Sequence, residues 1–169
     1  MSDSPDNTAT PETEKVAGLM RDIKFALLTT VEPDGTCIAR PMVHQDVDFD
    51  GDLWFVSSRK ARKLDHIATN PRVGVTLSST RSWVSLSGAA TVVEDQDKLE
   101  QVWSTDMDAW FPSGPDDSVV LIKVEADTAE YWDGPGGRVS TVLSLVKTKL
   151  TGERYDANDH DTVDLQPAG

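Results

Sequence analysis

The sequence predicts a mainly β domain with peripheral helices, its antiparallel strands closing into a barrel. Three observations carry this. Apolar runs of strand length recur along the chain between turn signals such as Pro33-Asp34-Gly35, Asp50-Gly51 and Ser79-Thr80-Arg81. The strands come in hairpins, without the strand–long helix–strand alternation of a parallel sheet, and no GxGxxG is present. Strands at this spacing favour barrel closure, which removes exposed edges.

Residues 1–10 are polar and acidic and predict a disordered tail. Thr10-Pro11-Glu12 starts a helix: a capping hydroxyl, proline at the first helical position, and an acid in the first turn. Val16, Leu19, Met20 and Ile23 give it one apolar side. Phe25 to Val31 and Thr36 to His44 are strands joined by the Asp34-Gly35 turn. Pro41 lacks an N–H, so the second strand belongs at an edge or a bulge. Leu53 to Val56 is continuously apolar, as in a strand buried on both faces.

A short helix follows, with Ala61, Leu64, Ile67 and Ala68 on its apolar side, and Asn70-Pro71 ends it. Arg72 to Ser78 and Ser82 to Glu94 are the next strands, with Gly88 admitting a bend in the second. Asp95 caps a helix whose Leu99, Val102, Trp103, Met107 and Trp110 form one apolar face, up to Phe111-Pro112. Ser118 to Trp132 reads as a strand pair or one long bent strand. After the Gly134–Gly137 loop, Arg138 to Leu150 reads as a last helix. The domain therefore spans 11–150, and 151–169 form an acidic, flexible C-terminal tail.

Charge narrows the function. The 169 residues carry a net charge of −13, which disfavours nucleic acid and anionic membranes as partners. A single cysteine, Cys37, forms no internal disulfide and reads as a small buried hydrophobe. No paired Cys/His spacing indicates a metal. No signal sequence or membrane span is evident, so a cytoplasmic, soluble protein is expected. His44, His66 and His160 are scattered, with His66 expected at the surface of its helix.

Against this acidic background, Arg59, Lys60, Arg62 and Lys63 crowd the start of a helix. Cations at a helix N-terminus are unfavourable by roughly 0.3–1 kcal/mol each when exposed. Such a cluster is either a solvated face or, with Ser57, Ser58 and backbone N–H groups, a phosphate site.

Arg40-Pro41-Met42, LWFVSS, Arg62-Lys63, Asn70-Pro71-Arg72-Val73, the strand reaching Gly88 and AEYWDGPGGR together resemble, in order and spacing, the pyridoxamine 5′-phosphate oxidase-like FMN-binding split barrels. The general stress protein branch resembles it further, with Trp103…Ala109-Trp110-Phe111-Pro112 and Glu130 to Asp133. The resemblance spans roughly residues 17 to 146.

It implies a six-stranded antiparallel split β-barrel that forms a homodimer, with FMN between the subunits. Arg62 and Lys63 match the phosphate-holding pair, and Val56 and Ser57 the strand end beside it. Arg40, Pro41, Met42 and Val43 match the strand along the isoalloxazine and ribityl chain. Trp132 matches a tryptophan that reaches the partner's flavin, and Arg138 an arginine of the oxidases' Arg-Leu-His substrate motif. Here that motif reads Arg138-Val139-Ser140, and Val142 replaces a following FMN-contacting arginine. Pyridoxamine-phosphate oxidation is therefore not expected.

The resemblance leaves the catalytic residues and the substrate open. It implies a flavin-dependent oxidoreductase, in the general stress response. The alternatives are a non-catalytic flavin store or sensor, or a split barrel using FAD, deazaflavin or haem. Trp83, Trp103 and Trp110 read as packing or dimer residues.

Overall fold

The computed structural model describes residues 11–45, 49–133 and 140–144. Both tails and Arg138 lie outside them. Helix α1 (Pro11–Met20) precedes strands β1 (Phe25–Val31), β2 (Cys37–Val43) and β3 (Asp52–Ser58). Helix α2 (Arg62–Thr69) leads to β4 (Arg72–Ser78) and β5 (Ser82–Val93). Helices α3 (Gln96–Val102) and α4 (Thr105–Asp108) then precede the long β6 (Val119–Asp133) and the short β7 (Ser140–Ser144).

Six antiparallel strands run in the order β2-β1-β4-β5-β6-β3, and β7 adds to β6. The sheet curls until its two ends, β2 and β3, approach each other without hydrogen-bonded pairing. The barrel is split along that line. Pro41 sits on β2, an end strand of this order, where its missing N–H breaks no ladder.

Inward side chains form the main core: Val16 and Met20 of α1, Leu28 of β1, Phe55 of β3, Ile67 of α2, Val75 and Leu77 of β4, Leu86 of β5 and Ile122 of β6. Burying each is worth roughly 1.5–3 kcal/mol. A second cluster joins Val56, Leu121 and Val119 to Leu99, Val102 and Met107. Strand β3 lies between the two cores. That position explains its unbroken apolar run: Leu53 and Phe55 enter one core, and Val56 the other.

β6 is one bent strand. Its register against β5 shifts between Ser87↔Thr128 and Gly88↔Ala126, leaving Asp127 as the extra residue of a bulge. A Cβ on Gly88 would lie 2.1 Å from the Glu125 carbonyl oxygen. Beyond the bend, the edge of β6 that pairs with β3 earlier along its length pairs with β7.

Several expectations are corrected. The segment expected as a last helix over 138–150 contains strand β7 instead; Thr141 and Val142 are β-branched, and the edge of β6 near Thr128–Tyr131 is open to receive them. The helix expected from Gln96 to Trp110 is two helices, because Trp103 and Ser104 adopt extended backbone between them. Trp110 consequently leaves the apolar face and is 64 % exposed. Ala68 faces solvent. Cys37, at the start of an end strand, is exposed. His66 is buried, at 6 % exposure. No helix among the described residues is long and apolar enough to cross a membrane.

Candidate functional site

A cleft of about 260 Å³ opens in the split between β2 and β3. Pro41, Met42 and Val43 line it from β2; Val56, Ser57 and Ser58 from β3; Lys63 from α2. Phe25, Met107, Trp110 and Phe111 complete the wall. Lys63 is the one charged group among these lining residues. The structure thus brings together six of the ten residues expected at the site. Ser58, named with Ser57 for a phosphate site, also lines it, whereas sequence reasoning missed Phe25, Met107, Trp110 and Phe111 as lining residues. Their signal is weak, since strand starts and aromatic helix ends more often serve packing.

The lining combines polar side chains, Ser57, Ser58 and Lys63, with aromatic ones, Phe25, Trp110 and Phe111. Lys63 Nζ donates to Ser57 Oγ at 3.2 Å. Burial, and then the positive charge of Arg40, hold the Lys63 ammonium below the usual lysine range. Burial, followed by the charge of Arg62, also lowers Arg40, while Glu32 acts in the opposite direction. Arg40 is therefore close enough to repel both Lys63 and Arg62, and Arg40 and Lys63 are partly shielded from water. That donor set fits a phosphate, which would relieve the repulsion.

Each of the four basic residues has its own place. Helix α2 begins at Arg62 with no side-chain cap at Ala61, so only Arg62 and Lys63 occupy its first turn. Arg62 is exposed and pairs with Glu32. Arg59 lies before the helix, pairs with Glu94 and donates to the Asp117 carbonyl at 2.8 Å. Lys60 is exposed beside it. Arg40 is not among the lining residues, and its Nη1 donates to Thr30 Oγ1 at 2.8 Å.

Of the aromatic residues, Phe111 packs near Trp103 with ring centroids 6.1 Å apart, and Trp110 stands outward beside it. Trp132 is elsewhere. It pairs with Trp83 across β5 and β6, on the outer face of the sheet. Among the described residues no group of three His, Cys, Asp or Glu side chains is arranged to hold a metal.

Known proteins share this architecture. Residues 11–156 match the model of the family described as pyridoxamine 5′-phosphate oxidase like. Protein bli-3 of Neurospora crassa is 27 % identical over 168 residues, covering 90 % of this chain and 80 % of that protein. The crystal structure of general stress protein 26 from Bacillus anthracis is similar at a TM-score of 0.67 and 25 % identity, covering 79 % of this chain and 98 % of that one. A general stress FMN/FAD binding protein from Xanthomonas citri is similar at a TM-score of 0.61 and 25 % identity, covering 82 % and 97 %.

Proposed function

The chain belongs to the pyridoxamine 5′-phosphate oxidase-like family, and from that premise we propose that it binds FMN in the split of the barrel and serves as a small-molecule oxidoreductase of the general stress type. The observation that carries this reading is the composition of the cleft: a half-buried lysine bonded to a serine hydroxyl, in a lining that also holds aromatic side chains. A ligand with a phosphate at one end and a planar ring system at the other matches both. The Xanthomonas relative, named for FMN/FAD binding, supports the flavin.

In this reading Lys63, Arg62 and Ser57 hold the phosphate, while Pro41, Met42, Val43 and Val56 lie along the rest of the ligand. FMN supplies the redox chemistry when bound, so the chain has to bind it, orient it and exclude water. A second copy completes the site. Phe25, Leu27 and Trp83 are 48, 46 and 44 % exposed. Strand register puts them, with Trp132, on the outer face of the sheet, continuous with the cleft through Phe25. A homodimer formed there buries this face and carries Trp132 towards the partner's flavin.

One observation favours a second reading. No carboxylate or histidine is among the described residues that line the cleft, as befits a flavin store or sensor without turnover. The FMN-loaded protein should be mixed anaerobically with NADH or NADPH, then with oxygen or a quinone. Flavin bleaching and recovery at repeated turnover supports the oxidoreductase. Bound flavin that no donor reduces supports the store.

A further inference from the structure

Thr30 occupies an inward position of β1, in line with Ala26 and Leu28, where an apolar residue would ordinarily sit. It is fully buried, and its hydroxyl has two partners. Arg40 Nη1 donates to Oγ1 at 2.8 Å, and His66 Nδ1 lies 3.0 Å away. His66 is itself buried, and its Nε2 faces Glu32 Oε1 at 3.4 Å. Glu32 also receives Arg62.

Donor counting fixes the first link of this chain. Arginine has no acceptor, so the Thr30 oxygen accepts from it. In the arrangement with a neutral imidazole, Thr30 gives its one hydrogen to His66 Nδ1. His66 Nδ1 is then unprotonated, and its hydrogen sits on Nε2, pointing at Glu32. That arrangement gives the Thr30 hydroxyl, both His66 ring nitrogens and Glu32 Oε1 a partner each. Buried polar groups persist where they are fully paired, and they then fix the geometry of what they touch.

We infer that Thr30, His66 and Glu32 are positioning residues that hold the Arg40 guanidinium beside Lys63 as a further cation of the phosphate-binding end. Arg40 lies on an end strand, and nothing in β2 alone would fix so long a side chain. Glu32 links the chain to Arg62, so one carboxylate tethers cations from two elements. The inference rests on the flavin-phosphate reading above, and it adds residues outside the cleft wall that set the site's charge geometry.

The test compares FMN with riboflavin, which lacks the phosphate. Wild type, Lys63→Ala, Thr30→Val and Thr30→Ser are titrated with both ligands by fluorescence quenching, with folding checked by thermal denaturation. Thr30→Val keeps the side-chain shape but neither accepts from Arg40 nor donates to His66. It should weaken FMN about tenfold and leave riboflavin unchanged, and Thr30→Ser should restore FMN affinity. An equal loss for both ligands, or no loss, overturns the positioning role. FMN affinity that falls in Lys63→Ala but not in Thr30→Val overturns the relay alone. FMN affinity unchanged in Lys63→Ala overturns the phosphate reading, and the relay's role with it. Nitrogen-15 shifts of the His66 ring give an independent readout: hydrogen on Nε2 agrees, and hydrogen on Nδ1 contradicts the chain.

Discussion

Lys63 Nζ lies 3.2 Å from Ser57 Oγ, so the first turn of α2 is tied to the buried end of β3 where the barrel is split. The contact puts a half-desolvated ammonium against a hydroxyl in a cleft with no carboxylate among its described lining residues. Among the described residues, no carboxylate is paired with this lysine.

Arg62 and Lys63 are neighbours in sequence but differ in consequence. Arg62 is exposed and paired with Glu32, and exposed pairs are worth about 0–1 kcal/mol. Arg62→Ala should therefore weaken FMN by less than about fivefold. Lys63→Ala should cost more, since a charge-assisted contact in a partly buried site is worth about 1.5–3 kcal/mol, roughly tenfold to a hundredfold. Isothermal titration of both variants gives the ranking.

Lys63 also makes the site sensitive to pH. Its folded-state pKa lies below the ordinary lysine value of 10.5. The charged form thus carries a cost in the folded protein at neutral pH. That cost is relieved as pH rises through the folded pKa towards 10.5, because the unfolded chain then binds more protons. Over this alkaline window wild type should gain thermal stability relative to Lys63→Met, while its FMN affinity should fall as the ammonium is lost. Melting curves and titrations at matched pH check both signs.

Among the aromatic lining residues, Trp110→Ala should weaken FMN and riboflavin alike. Aromatic packing is worth about 0.5–1.5 kcal/mol, or roughly twofold to tenfold. A loss confined to FMN would contradict contact between Trp110 and the flavin ring.

Gly88 is required by the approach of β6. A Cβ there would meet the Glu125 carbonyl oxygen at 2.1 Å, and both partners are backbone. Gly88→Ala should cost about 1–3 kcal/mol, seen as a melting temperature lowered by roughly 2–4 °C per kcal/mol.

The exposed outer face predicts assembly. Trp83→Glu combined with Leu27→Glu should convert a dimer into a folded monomer, measured by light scattering at matched concentration. A variant that keeps the mass of the wild type would remove this face from the interface.

Much of the fold was legible in the sequence. Apolar runs between turn signals marked β1, β4 and β5, and the unbroken apolar run of β3 correctly indicated burial on both faces. Gly88 marked the bend. What failed depended on tertiary context. A β-branched segment near residue 140 has apolar residues at both helical and strand spacing, and the open edge of β6 decides between them. Trp103-Ser104 gave no strong break signal inside an apolar helical pattern. His66 read as a surface residue because its partners, Thr30 and Glu32, lie more than thirty positions away. Its spacing of three from Lys63 was the available hint, since both then share one helix face. In the candidate site, the motif residues on β2, β3 and α2 converge on one cleft, whereas Trp132 takes its place on the outer face.

The central claim is a phosphate-tailed flavin held at Lys63. The most direct measurement is a paired titration of wild type and Lys63→Ala with FMN and riboflavin at neutral pH. Wild type should bind FMN tightly, Lys63→Ala should lose roughly tenfold or more, and riboflavin affinity should be equal in the two proteins. Equal FMN affinity in the folded variant would contradict it.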